Sequence, residues 1–220
     1  HARPDEYLSY VGPGMQWSGG LWASFRKELV VSPAGWGSTR DQRKMIVDVV
    51  FHEGFHQYLY YVTDEVQNIT WFNEGHATFF EGIEFKAGGK YEINATHRYQ
   101  TIKPLAEAGN LPVLELIKMS HQQFVSGAID QHYAMVWALV FYLRKGCLAD
   151  GKEAAYGSIL NRYYDAVLAT RDADKANDAA WAGVDLNALL RTSWLSGRAR
   201  PVSSAPPAVR PSSMRPRSWR

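Results

Sequence analysis

Two histidines four residues apart enclose a glutamate in His52-Glu53-Gly54-Phe55-His56. On a helix, four residues make just over one turn, so both imidazoles project from one face with Cβ atoms about 5 to 6 Å apart. That separation suits a pair of zinc ligands. Glu53 lies beside His52 on the same turn, where its carboxylate can reach a metal-bound water without being a ligand itself. A zinc ion that does chemistry keeps three protein ligands and one open position, so a third donor is required. Eighteen residues beyond His56 stands Glu74, within Trp71-Phe72-Asn73-Glu74-Gly75-His76-Ala77. In the first turn of its own helix it can face the first helix across an antiparallel crossing, with residues 61–70 making the return. The competing account is an ordinary helix with two histidines, in which both motifs are coincidence and no metal binds.

Glu81 falls seven residues after Glu74, two helical turns on, and shares its face. It either accepts the outer ring N–H of a zinc-bound histidine or is a solvated helix carboxylate. His76, two positions from Glu74, points away from that face and reads as a surface or packing residue. His97 and His121 carry no supporting pattern.

These groups need elements to hold them. Residues 28–32 (ELVVS) are short, β-branched and closed by Pro33, which predicts a strand followed by a glycine-rich loop through Gly37. Ser38 or Thr39 can cap the helix that follows, Asp41 sits in its first turn, and Ile46, Val49, Val50, Phe51 and Phe55 recur at helical spacing. A second helix is expected to begin near Asn73, whose side chain can accept first-turn amides, and to run through Phe79 and Glu81 until Gly88 and Gly89 stop it. Residues 133–144 are apolar almost all round, which predicts a buried helix. Weaker amphipathic helices are expected at 153–169, 174–182 and 185–195. From Gly197 onward the composition shifts to Pro, Ser, Ala and Arg, and no amphipathic period can form. The expected fold is therefore α+β and predominantly α-helical, with a small β-sheet on the N-terminal side followed by a helical C-terminal part. The expected organisation is one domain over 1–196 and a disordered tail over 197–220.

Composition narrows the function. Six of the 24 basic residues are arginines after Gly197, where no acid occurs, leaving 18 against 22 acidic residues and a body near −4. Such a body offers no basic stripe for nucleic acid. A single cysteine, Cys147, excludes an internal disulfide and a CxxC metal site, so ligands must come from His, Asp and Glu. No apolar run approaches the roughly 18 residues needed to span a bilayer, and no charged start followed by an apolar stretch marks a signal peptide. The chain opens on His1 rather than Met, which leaves room for an upstream segment. The sequons at Asn68 and Asn94 would matter only in a eukaryotic secretory pathway, and chance is their simpler origin.

The combination of HExxH with a helix reading WFNEGHATFFE resembles the gluzincin zinc metallopeptidases. The likeness is strongest over residues 45–85, to the aminopeptidase-N and leukotriene-hydrolase group and to the peptidase-MA-like domains. It implies a zincin-like domain in which His52, His56 and Glu74 hold Zn2+ and Glu53 activates the zinc-bound water to hydrolyse peptide bonds. Beyond that stretch the likeness is looser. Tyr133-Ala-Met-Val-Trp-Ala-Leu-Val, 59 residues past Glu74, looks like the helix whose leading tyrosine hydrogen-bonds the developing oxyanion in those enzymes. Some gluzincins use a histidine there, so His132 is the alternative donor, and a tyrosine that is simply core is the competing reading. No GxMEN-like stretch precedes the first helix to grip a free N-terminus, which favours an endopeptidase over an aminopeptidase. A peptide or protein substrate is implied. The rival is a noncatalytic zinc-binding or peptide-binding domain derived from a metallopeptidase, although a purely structural site has no use for Glu53.

Overall fold

The computed structural model describes residues 3–15, 18–33, 39–93, 98–109 and 111–192. The glycine-rich loop expected through Gly37, the alternative cap Ser38, the Asn94 sequon, His97 and the expected tail all lie outside the described residues. The protein is a predominantly helical α+β fold with two small antiparallel hairpins.

After helix α1 (Pro4–Val11), strands β1 (Gly20–Ala23) and β2 (Glu28–Val31) pair antiparallel from Gly20 opposite Val31 to Ala23 opposite Glu28. β2 is the strand expected at 28–32. Helix α2 (Arg40–Val62) follows, and a reciprocal cap starts it: the Gln42 amide donates to Thr39 Oγ1 at 3.2 Å while Gln42 Oε1 accepts from the Thr39 amide at 3.3 Å. Asp64 and Glu65 then take left-handed backbone (φ 59° and 65°), reversing the chain into α3 (Thr70–Phe80).

The bounds of α3 correct the expectation at both ends. It begins three residues before Asn73, which sits inside the helix and caps nothing. The approach is held instead from far along the chain: Tyr163 Oη accepts from the Ile69 amide at 3.0 Å and donates to Asn68 Oδ1 at 3.2 Å. At the other end α3 stops at Phe80, and a second hairpin follows, β3 (Ile83–Phe85) with β4 (Tyr91–Ile93). Gly88 and Gly89, with φ of 76° and 72°, turn that hairpin rather than terminating a helix.

The remainder is helical: α4 (Arg98–Glu107), α5 (Val113–Leu116), α6 (His121–Phe124), α7 (Ile129–Phe141) widening into a π-turn at Tyr142–Gly146, α8 (Cys147–Ala149), α9 (Glu153–Tyr156), α10 (Ile159–Thr170), α11 (Ala173–Trp181) and α12 (Leu186–Leu190). α7 is the buried helix expected at 133–144, starting four residues earlier, and everything from Ala134 to Phe141 is buried. The helix expected at 153–169 is broken between α9 and α10. Among the described residues no helix is long and apolar enough to cross a membrane.

α3 lies between α2 and α7. Its approach to α7 needs a glycine, because a Cβ on Gly75 would come within 2.6 Å of Val140 Cγ2 and 2.9 Å of the Val136 carbonyl oxygen. Trp71 and Trp137 are fully buried, and Trp71 Nε1 donates to Asn177 Oδ1 at 2.7 Å while Asn177 Nδ2 donates to the Ile117 carbonyl at 3.0 Å. That chain of bonds ties α3 to α11 and α5 through otherwise apolar packing. Each fully buried side chain of Leu or Phe size contributes about 1.5–3 kcal/mol relative to exposure.

Candidate metal centre

His52 and His56 project from one face of α2, their ring centroids 4.8 Å apart and their planes 83° to each other. Across from them, in the first half of α3, Glu74 directs Oε2 to 3.4 Å from His52 Nε2 and 3.6 Å from His56 Nε2. These three residues could hold a metal ion, their donor atoms all lying within 4.8 Å of one another. The spacing is informative, since tetrahedral donors at zinc bond lengths of about 2.0–2.2 Å lie roughly 3.3–3.6 Å apart. Glu74 Oε2 is buried with no hydrogen-bond partner. A carboxylate oxygen so placed is costly unless something positive meets it, and a cation centred between the three donors would do so.

The electrostatics agree. Burial would raise the Glu74 carboxyl, but the His56 and His52 imidazoles, with a further pull from His121, outweigh it and hold it at about 2. Burial pushes His52 down, yet carboxylates at both ring nitrogens prevail and lift it to about 10. The pocket therefore takes up positive charge, and a proton on His52 and a metal ion are alternatives for the same place.

Outer partners fix both rings. His52 Nδ1 lies 2.8 Å from Glu81 Oε1 and His56 Nδ1 lies 2.8 Å from Asn73 Oδ1. With each Nδ1–H donating to an oxygen, Nε2 is the ring nitrogen that faces the pocket, and it offers a lone pair once any proton there has left. Glu81 is thus the partner of a histidine ring and not a solvated carboxylate, and Asn73 serves His56 rather than the start of α3. Burial raises the Glu81 carboxyl, while its bond to His52 and the Arg98 charge bring it below its ordinary value.

Glu53 is buried, and its Oε2 accepts the backbone amide of Trp22 at 2.8 Å. Nothing in the motif announces this neighbour. β1 lies directly on α2 there: a Cβ on Gly20 would come within 2.6 Å of Val49 Cγ1 and 2.8 Å of Glu53 Cγ, and one on Gly19 within 2.8 Å of Val49 Cγ2. The Gly19-Gly20 pair before Leu21-Trp22 is the signal that could have revealed the contact, since glycines in a strand mark close backbone approach.

Tyr133, at the start of α7, sets its ring 6.1 Å from that of His52 and edge-on to Phe124 at 4.8 Å. Burial raises its hydroxyl above the ordinary value, and the Glu74 and Glu53 charges add to this. His132 is turned elsewhere, its Nδ1 2.7 Å from the Phe124 carbonyl oxygen and its ring against Phe124. His76 is a packing residue: its ring stacks on Phe55, its Nδ1 donates to the Phe72 carbonyl at 2.7 Å, and burial holds it well below its ordinary value. His121, which showed no pattern, heads α6 close enough for its charge to act on Glu74.

The fold and site together describe a predominantly helical α+β protein with a His–His–Glu group, its glutamate buried and its histidines partly so, that could hold a cation. A family model described as a protein of unknown function (DUF1570) matches residues 46–152, just under half of the chain. That stretch contains His52, Glu53, His56, Glu74, Glu81 and Tyr133 but not β1. No solved structure matches the chain.

Proposed function

We propose that the protein is a zinc metallopeptidase of the gluzincin type, with His52, His56 and Glu74 as ligands and Glu53 as general base. The observation that carries this reading is the partnerless Glu74 Oε2, nearly equidistant from two Nε2 atoms, with a buried glutamate one residue from the first ligand. Zinc bound there would acidify water and polarise the carbonyl under attack. Glu53 takes the proton from the attacking water and returns it to the leaving amine. Tyr133 donates its hydroxyl hydrogen to the oxyanion, a role favoured by burial that keeps the phenol protonated. The substrate class is a peptide or protein cleaved within its chain, because no GxMEN-like stretch is present to hold a free N-terminus.

A second reading, a noncatalytic zinc-binding or peptide-binding domain, gains support from one observation. The Trp22 amide already occupies one oxygen of Glu53. Elemental analysis and a peptide-library assay separate the two. The first reading expects one zinc per chain, loss of zinc in His52→Ala and His56→Ala, and retained zinc with lost turnover in Glu53→Gln. Equal turnover in wild type and Glu53→Gln would remove Glu53 from the mechanism, and zinc with no turnover in wild type would favour the second reading.

A further inference from the structure

Arg98 opens α4, seventeen residues beyond Glu81, and the reaction proposed above makes no use of it. Its side chain is only 15% exposed and forks onto Glu81, with Nε at 3.1 Å from Oε2 and Nη2 at 2.9 and 3.0 Å from Oε2 and Oε1. The same guanidinium carbon lies 5.1 Å from the centroid of the Tyr133 ring. Glu81 Oε1 in turn lies 2.8 Å from His52 Nδ1. One largely buried cation therefore touches both the carboxylate behind a candidate ligand and the ring of the candidate donor.

A carboxylate held only by a histidine can rotate about its terminal torsion, whereas a guanidinium fork fixes its plane. A cation over an aromatic face likewise favours one ring placement. We propose that Arg98 is a positioning residue of the metal centre, orienting the His52 ring through Glu81 and the Tyr133 ring by direct stacking. Metal retention and the placement of Tyr133 are then coupled through a single side chain. Lysine cannot replace it fully, because an ammonium is a point charge with neither fork nor plane. The inference rests on the metal part of the proposed function and not on peptide hydrolysis.

The test is cobalt(II) binding to the full chain, with affinity read by chelator competition and ligand geometry read from the visible absorption spectrum. Arg98→Gln is expected to weaken cobalt binding roughly 10- to 100-fold and to alter the spectrum, with Arg98→Lys restoring part of the loss. Arg98→Gln combined with Glu81→Gln should bind no more weakly than Glu81→Gln alone, since both act through one bond network. Tyr133→Ala should weaken binding, whereas Tyr133→Phe, which keeps the ring, should not. Wild-type affinity and spectrum in Arg98→Gln, or fully additive losses in the double variant, would overturn the inference. Should Arg98→Gln fail to fold, Arg98→Lys decides: wild-type affinity and spectrum overturn it, and intermediate values support it. A wild-type chain that binds no cobalt defeats the metal reading and this inference together. Cobalt binding without peptide hydrolysis defeats only the proposed reaction.

Discussion

Glu74 is buried and charged, and its Oε2 makes no hydrogen bond although two ring nitrogens lie 3.4 and 3.6 Å away. An isolated buried carboxylate costs several kcal/mol, so the two imidazoles that hold it at about 2 are part of what makes the site tolerable. His52, lifted to about 10, carries a proton at neutral pH when no cation is bound. Metal binding at Nε2 must displace that proton, so affinity should rise with pH up to about 10 and zinc uptake at pH 7 should release at least one proton. Calorimetry in buffers of different ionisation enthalpy reads the proton count; a count of zero would show that His52 is already neutral. For Tyr133→Phe the expected outcome is a fall of roughly 10²-fold or more in turnover with zinc retained, as for loss of one oxyanion donor. An unchanged rate would assign the hydroxyl no part and, with His132 Nδ1 bonded to the Phe124 carbonyl, would leave zinc to stabilise the oxyanion without it. At this scale the grouping of His52, Glu53, His56 and Glu74 was readable from residue type and spacing, whereas Tyr133 was suggested only by the resemblance of its helix to that of the gluzincins. Arg98 was not readable, because seventeen residues and a hairpin separate it from Glu81 and no period links them.

Between elements, close approach is set by glycines. Gly75 lets α3 settle on α7, and because one of the atoms it would strike is the Val136 carbonyl oxygen, a methyl cannot be absorbed by a side-chain shift alone. Gly75→Ala is therefore expected to destabilise the fold by about 1–3 kcal/mol, measured as a lower urea midpoint with unchanged slope. A midpoint equal to wild type would mean that the two helices separate at no cost. Gly20 plays the same part between β1 and α2, and through it the Trp22 amide reaches Glu53. The helices α2, α3 and α7 were foreseen because apolar spacing and a cap at Thr39 are local signals. The start of α3 was misplaced because Tyr163, 94 residues away, holds the chain before it and frees Asn73 for His56. The β3–β4 hairpin was missed because its three-residue strands are too short to show alternation.

Over the whole molecule, the candidate centre draws on α2, α3, the end of α3 at Glu81, α4, α7 and β1, so it exists only in the folded chain. A ligand that binds only the folded state stabilises it, and zinc at about 100 times its Kd should add about 2.7 kcal/mol. Stripping it with a chelator is expected to lower Tm by roughly 5–10 °C for a domain of this size. No change in Tm on chelation, with zinc present beforehand, would place the ion outside the folded centre. The sequence by itself determined the ligand-type residues, the helix that pairs His52 with His56 and the largely helical character of the fold, because these depend on residue chemistry and on a period of 3.6. Only the tertiary structure decided that Glu74 Oε2 lies between two Nε2 atoms without a hydrogen bond, that Glu81 turns to His52, that His76 packs in the core and that Trp22 and Arg98 reach the site. Those outcomes depend on how closely distant segments pack and on which polar atoms are left to find one another, quantities that local spacing does not encode.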